Sequence, residues 1–525
     1  MKKTIIFLFV LANIINAQIT GHGYKFERFS KTNDNTPLSN SILDIIVIND
    51  TVWLGTTKGL SQSVDGGATF KNYYNSADFG TESISAIGYN KGVIWAATAH
   101  NTDRDGQSLA TGSGLRYSSN NGATWTIIDQ PKDLPGDSSV VYGVNTIRAL
   151  PVTVDISNIT YDIAFSKNTI WIASFAGGLR KSTNMGATWE RVILPPDYLS
   201  SIKPTDILTF TLQPIAGAFG KESYLNHRLF SVASSNDSTV YVGTAGGINK
   251  TTDNGISWEK FNHTNQDSPI CGNFIVAIGI IQGTNDVWSA SWKAEGSTEF
   301  YGVSYSHDGG NTWQNYLEGE KAHNFAFIYD PDDFAITENY VFAATDNGIF
   351  RSANSGQTWF APPSIYDRNL NFGITPYETS FYSINTNKLN NKDVIWVGSS
   401  SGLARLIETN GMWTGDWKIY LSSQPLTGND EAYAFPNPFS PDAELVKIKF
   451  NMGSSSDDVT IRIMDFGMNL VRTVVQNETY NTIGDNYAVW DGRDENGKIV
   501  PNGVYFYRID RGDKDPVFGK IIVLM

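Results

Sequence analysis

Five acidic side chains stand in long polar connections where a carboxylate could face a substrate: Asp103, Asp105, Glu222, Glu295 and Glu299. Glycosidic-bond hydrolysis needs two such groups across a cleft, about 5 to 10 Å apart, one donating a proton while the other acts as base or nucleophile. Asp105 and Glu295 are the pair that would carry this chemistry, with Asp103 and Glu299 as ligand contacts. Trp292, Phe300 and Tyr224 lie in the same connections and have flat apolar faces on which a sugar ring stacks. The plainer reading of each acid is a solvated loop carboxylate, and of each aromatic a packing anchor.

Other chemistries lack their residues. The histidines His22, His100, His227, His263, His307 and His323 are scattered, with no H-x-x-x-H or H-E-x-x-H spacing. Neither Asp103-Arg104-Asp105 nor Asp330-Pro331-Asp332-Asp333 completes a calcium loop. There is no G-x-S-x-G elbow, no phosphate-binding Gly-Lys loop and no setting for a cysteine nucleophile. No metal and no cofactor are expected. The lone Cys271 reads as a buried thiol, and a net charge of −14 argues against a nucleic-acid partner.

The elements that must position these residues are written as repeats. One turn recurs six times: Ser63–Phe70 (SVDGGATF), Ser118–Trp125 (SSNNGATW), Ser182–Trp189 (STNMGATW), Thr251–Trp258 (TTDNGISW), Ser306–Trp313 (SHDGGNTW) and Ser352–Trp359 (SANSGQTW). A strand phrase precedes each turn, as in Val52-Trp53-Leu54-Gly55-Thr56, and returns a seventh time at Ile395–Leu403. Period-2 alternation and β-branched or aromatic enrichment make each unit four short strands. Seven four-stranded blades closing radially would cover both faces of every sheet. Within the turn, Asp65, Asn120, Asn184, Asp253, Asp308 and Asn354 are expected to accept backbone N–H bonds, and the glycine two places later to take a positive φ. The closing Trp or Phe is expected to pack between sheets. Phe26–Phe29 and Trp417–Tyr420 compete for the outer strand of the seventh unit.

These units resemble the Asp-box, or BNR, repeat of sialidases, sortilin-type receptors, xyloglucan-cleaving glycosidases and photosystem assembly factors. The resemblance implies a propeller blade and leaves activity open. A sialidase would need three arginines around a carboxylate; Arg104, Arg148 and Arg228 lie in or near the insertions without a spacing that secures a triad. The stretch from Asn35-Thr36-Pro37 to Trp53-Leu54-Gly55 also resembles the two-component-regulator-type propeller repeat. Strand 2-to-3 and 4-to-1 connections open on the face opposite the repeated turns. The insertions 100–112, 292–300, 129–158 and 193–227 are therefore expected to share one face, the natural place for a site.

Both ends of the chain read differently. Lys2 and Lys3, an apolar run from Ile5 to Ile15 and Asn16-Ala17 read as a signal peptide over residues 1–17. A propeller over 22–420 and a polar linker over 421–432 lead into a run of three prolines, Tyr433–Pro441 (YAFPNPFSP), read as a boundary without regular pairing. Alternating strands over 433–525 then read as a small Ig-like β-sandwich. That run, with Trp490–Tyr507 (WDGRDENGKIVPNGVYFY), resembles the Ig-like module of the flagellar hook-capping protein and the type A sorting domains of type IX secretion. Such tails engage outer-membrane secretion machinery. The expectation is an all-β chain, a seven-bladed propeller followed by the sandwich, secreted or on the outer cell surface. It would be non-catalytic and bind an extracellular protein or glycan. A secreted glycoside hydrolase of the Asp-box propeller type is the alternative, and an envelope sensor or assembly factor is a third reading.

Overall fold

Runs too short for helices, broken by Gly and Asn, fold here as strands alone. The computed structural model describes residues 36–219, 224–294, 298–329, 340–370, 372–377, 379–422, 432–435, 437–441, 445–452, 457–480 and 485–524, all-β without a helix among them. Seven antiparallel sheets follow one another along the chain, their first strands being Ile42–Ile48, Ser83–Asn90, Thr160–Ser166, Leu229–Ser234, Phe274–Ile280, Ala322–Ile328 and Phe381–Leu389. Each first strand packs against the next, and that of sheet seven returns to that of sheet one, closing a β-propeller. Trp417–Tyr420 lies in the outer strand of sheet seven, Gly415–Tyr420. Phe26–Phe29 lies outside the described residues.

Closure is polar at the axis and apolar between sheets. Innermost strands have one open backbone edge, and side chains from neighbouring sheets satisfy it. Asp44 accepts from Ile87 N at 2.9 Å, Asp162 from Val232 N at 2.9 Å and Asn324 from Ile384 N at 3.2 Å. Asn385 and Asn387 of sheet seven donate to the carbonyls of Ile45 and Asn49 in sheet one, at 3.0 and 2.8 Å. Farther out, Trp53, Trp95, Trp171, Trp288 and Trp396 of the second strands are fully buried. Burying one such ring contributes roughly 4 to 6 kcal/mol as an upper figure.

Each repeated turn is the same small hydrogen-bond cage. In the first, Ser63 Oγ donates to Asp65 at 2.8 Å and accepts from Gly67 N at 2.8 Å, while Asp65 accepts from Thr69 N at 2.9 Å and Thr69 Oγ1 at 2.7 Å. Asn120, Asn184, Asp253, Asp308 and Asn354 accept from the N–H four residues later at 2.9 to 3.0 Å. Cys271 is fully buried, and burial pushes its thiol up to about 12.

The tail pairs Ala432–Phe435, Val446–Asn451 and Asp485–Trp490 in one sheet, and Leu470–Tyr480, Asp457–Met464, Gly503–Arg511 and Lys514–Val523 in another. Their shared core includes Ile448, Phe450, Ile461, Trp490 and Tyr507. The proline run does not exclude pairing as expected: Tyr433, Ala434 and Phe435 pair with Lys449, Ile448 and Lys447 before the prolines begin. Trp490 is core, its Nε1 donating to Arg493 O at 2.9 Å, and Asp491 accepts from Arg493 N at 3.1 Å across the turn.

Candidate functional site at the channel mouth

First strands begin, and second strands end, on the face opposite the repeated turns. At that level each first strand carries a bulge that leaves one residue out of the ladder. Tyr161, Phe230, His323 and Tyr382 occupy this position in sheets three, four, six and seven. Sheet five contributes Phe274 and Trp292, which pair directly across its first two strands.

Together these rings form an unbroken arc. Centroid separations are 5.7 Å for Tyr161–Phe230, 4.3 Å for Phe230–Phe274, 6.1 Å for Phe274–Trp292, 5.5 Å for Trp292–His323 and 5.6 Å for His323–Tyr382. None is fully buried, and Tyr161 is 39% exposed. Cations flank it: Arg228 lies over Phe175 and Tyr224 at 5.2 and 4.9 Å, and Lys321 over Trp292 and Tyr301 at 5.9 and 5.1 Å. His323 Nε2 lies 2.8 Å from Asp346. The arc offers a curved, amphipathic platform to a ligand with alternating apolar faces and polar edges.

Of the residues picked from sequence, Trp292 belongs to this arc, with its Nε1 donating to Ala322 O at 3.1 Å. Tyr224 sits beside it under Arg228, and its backbone N–H donates to Asp197 at 3.1 Å. Phe300 is partly buried, its N–H donating to Cys271 O at 3.1 Å. Asp103, Asp105 and Glu299 do not gather at the arc. Asp103 and Asp105 lie in a hairpin that extends the second and third strands of sheet two, with Asp105 at the tip, 95% exposed, and Arg104 at 4.0 Å. Glu299 is buried and accepts from Asn273 Nδ2 and Ala294 N, both at 2.8 Å, which makes it a loop staple. Glu295 and Glu222 lie outside the described residues. No cluster able to hold a metal occurs among the described residues.

The two longest insertions also differ from expectation. Residues 129–158 and 193–227 were expected to project from the mouth face, yet much of both lies against the outer strands of sheets three and four. Ile147, Ala149, Ile193, Ile202, Phe210 and Leu212 form one core with Leu179 and Trp258. Ser201–Ile202 adds a fifth strand to sheet four through Trp258 and Glu259. Apolar side chains on these insertions gain more by covering an open sheet edge than by standing in water.

Sequence reasoning missed Tyr161, Phe230, Phe274, His323 and Tyr382. Tyr161, Phe230, His323 and Tyr382 share one signal, a single position in the first strand, hidden because the spacing to the following strand phrase varies with hairpin length.

Residues 438–514 match the FlgD Ig-like domain family. No curated protein matches the chain. Among solved structures, PorZ of Porphyromonas gingivalis, described as an essential surface component of the type IX secretion system, is 16% identical with a TM-score of 0.40, over 92% of this chain and 66% of that one. The chain thus spans just under two thirds of that protein. A GH74 xyloglucanase from Xanthomonas campestris is 12% identical with a TM-score of 0.49, over 93% of this chain and 74% of that one. YCF48 from Cyanidioschyzon merolae is 16% identical with a TM-score of 0.41, over 70% of this chain and 94% of that one. Among the described residues, no helix is long and apolar enough to cross a membrane.

Proposed function

We propose that this chain is a secreted or surface-displayed, non-catalytic propeller of the seven-bladed Asp-box type that binds an extracellular glycan or protein at its channel mouth. Residues 1–17 are assigned to export, 22–420 to the propeller, 421–432 to a linker and 433–525 to a tail that engages the outer-membrane secretion machinery. The aromatic arc from Tyr161 to Tyr382 carries the binding reading. The tail assignment rests on its FlgD Ig-like match. A hydrolase would require Asp105 to oppose a second acid across a cleft, and at a 95% exposed hairpin tip its carboxylate stands in bulk water.

The test is retention of the full-length protein on immobilised plant and microbial polysaccharides, with reducing-sugar release measured in parallel. Trp292→Ala and Tyr161→Ala should each weaken retention about tenfold while leaving the melting temperature within a few degrees. Unchanged retention in both variants would remove the arc from the binding surface. Sugar release abolished by Asp105→Asn or Glu295→Gln would replace this reading with the hydrolase.

A further inference from the structure

A second concavity, of about 340 Å³, lies outward of the channel mouth, between the 129–142 segment and the third and fourth strands of sheet three, Gly178–Ser182 and Glu190–Arg191. Its floor holds two guanidiniums against one carboxylate. Asp133 accepts from Arg180 Nη2 at 2.6 Å, from Arg191 Nη1 at 3.3 Å and from Val152 N at 2.7 Å. All three charged side chains are buried, at 7%, 3% and 8% exposure for Asp133, Arg180 and Arg191. Arg180 lines the concavity, and its buried Nε has no hydrogen-bond partner.

Both buried guanidiniums share Asp133 as ion-pair partner, while the concavity's other two carboxylates, Asp137 and Glu190, stand at its exposed rim, so an anion reaching the floor would supply a second partner there. Burial, opposed by Asp133 and reinforced by Arg180, lowers the Arg191 guanidinium to about 10. The rim is mixed in charge: Lys132, paired with Asp155 at 2.9 Å, shares it with two acids. Asp137 and Glu190 stand exposed beside the Ser139 hydroxyl, and the Trp189 indole forms one wall. Donors at the floor suit a carboxylate, acceptors at the rim suit hydroxyls, and an aromatic wall suits a sugar ring.

We propose that this concavity is a binding site for an acidic sugar residue, a uronate whose carboxylate sits on Arg180 and Arg191 and whose hydroxyls donate to Asp137 and Glu190. A bare oxyanion would be repelled by the rim acids and gain nothing from the indole. The site is independent of the aromatic arc, since its residues lie on the 129–142 segment and around the outer strands of sheet three.

Galacturonate, galactose and sodium sulfate, compared at constant ionic strength by calorimetry and thermal shift on the full chain, test this. Galacturonate should bind and raise the melting temperature, and galactose and sulfate should not. Arg191→Lys, which cannot keep a planar fork, should weaken galacturonate about tenfold. Glu190→Gln, at an exposed rim position that leaves folding intact, should weaken it about threefold. Equal responses to galacturonate and galactose, or to galacturonate and sulfate, would overturn the proposal. So would wild-type galacturonate affinity in Glu190→Gln together with a folded Arg191→Lys; should Arg191→Lys not fold, Glu190→Gln and the three-ligand comparison decide.

Discussion

A single glycine in each repeated turn meets two demands at once. Gly67, Gly122, Gly186, Gly255, Gly310 and Gly356 all have φ between +77° and +107°. A Cβ on Gly122 would stand 2.1 Å from Tyr73 Oη and 2.9 Å from the Trp53 ring of the preceding sheet. Gly122→Ala should therefore cost about 2 to 4 kcal/mol, combining left-handed strain with overpacking, and chemical denaturation of the variant would read it. The glycine and its acidic or amide partner were legible in sequence because their bonds close within four residues. The preceding position was not: Asn121, Met185, Asn254 and Ser355 are also left-handed, at φ +54° to +60°, with no glycine to announce it. Burial raises the carboxyls of Asp65, Asp253 and Asp308, but the Ser, Thr and backbone donors outweigh it and hold them below the usual range.

Among elements, the strands were easier to read than the connections. In sheet two the second strand, Val93–Arg104, stays paired with the third, Gln107–Ser118, as far as Arg104 and Gln107, so the 100–112 insertion is largely a ribbon. The 193–227 insertion carries Ile202, fully buried where Ser201–Ile202 caps the edge of sheet four. Lys260 fastens the same insertion, its Nζ donating to the carbonyls of Pro196 and Asp197 at 2.8 and 2.7 Å, and burial lowers its ammonium to about 8. Ile202→Asp should detach this strand and open the edge beneath it. Concentration-dependent association in light scattering is the expected outcome, and a monodisperse variant of wild-type stability would refute the capping role.

At the scale of the whole molecule, the ring is drawn together at its axis by carboxylates in an unfavourable place. Asp44 and Asp162 line the inner edges of sheets one and three, where desolvation raises them to about 6 and 7 despite the two backbone N–H groups each accepts. A folded-state pKa above the ordinary 3.8 means that the folded chain binds these protons more tightly than the unfolded chain. Their contribution is therefore fully present below about pH 4 and is lost as pH rises through about 6 to 7. The double variant Asp44→Asn/Asp162→Asn should show a shallower fall in melting temperature across pH 4 to 7 than wild type. Identical slopes would place the titration elsewhere.

The sequence by itself determined the all-β character, the repeated turns and the β-sandwich character of the tail, because each depends on bonds or periodicities within a few neighbouring residues. Tertiary structure alone decided which residues meet. The arc joins Tyr161 to Tyr382 across five sheets, and Asp133 reaches Arg180 and Arg191 through an insertion folded over another sheet's edge. Such encounters depend on ring closure and on how insertions cover exposed edges. Spacing along the chain does not encode either, since connections of different length deliver residues to equivalent places. For the same reason spacing did not announce that Asp105 stands at a solvent-facing tip while Glu299 is held in a buried staple.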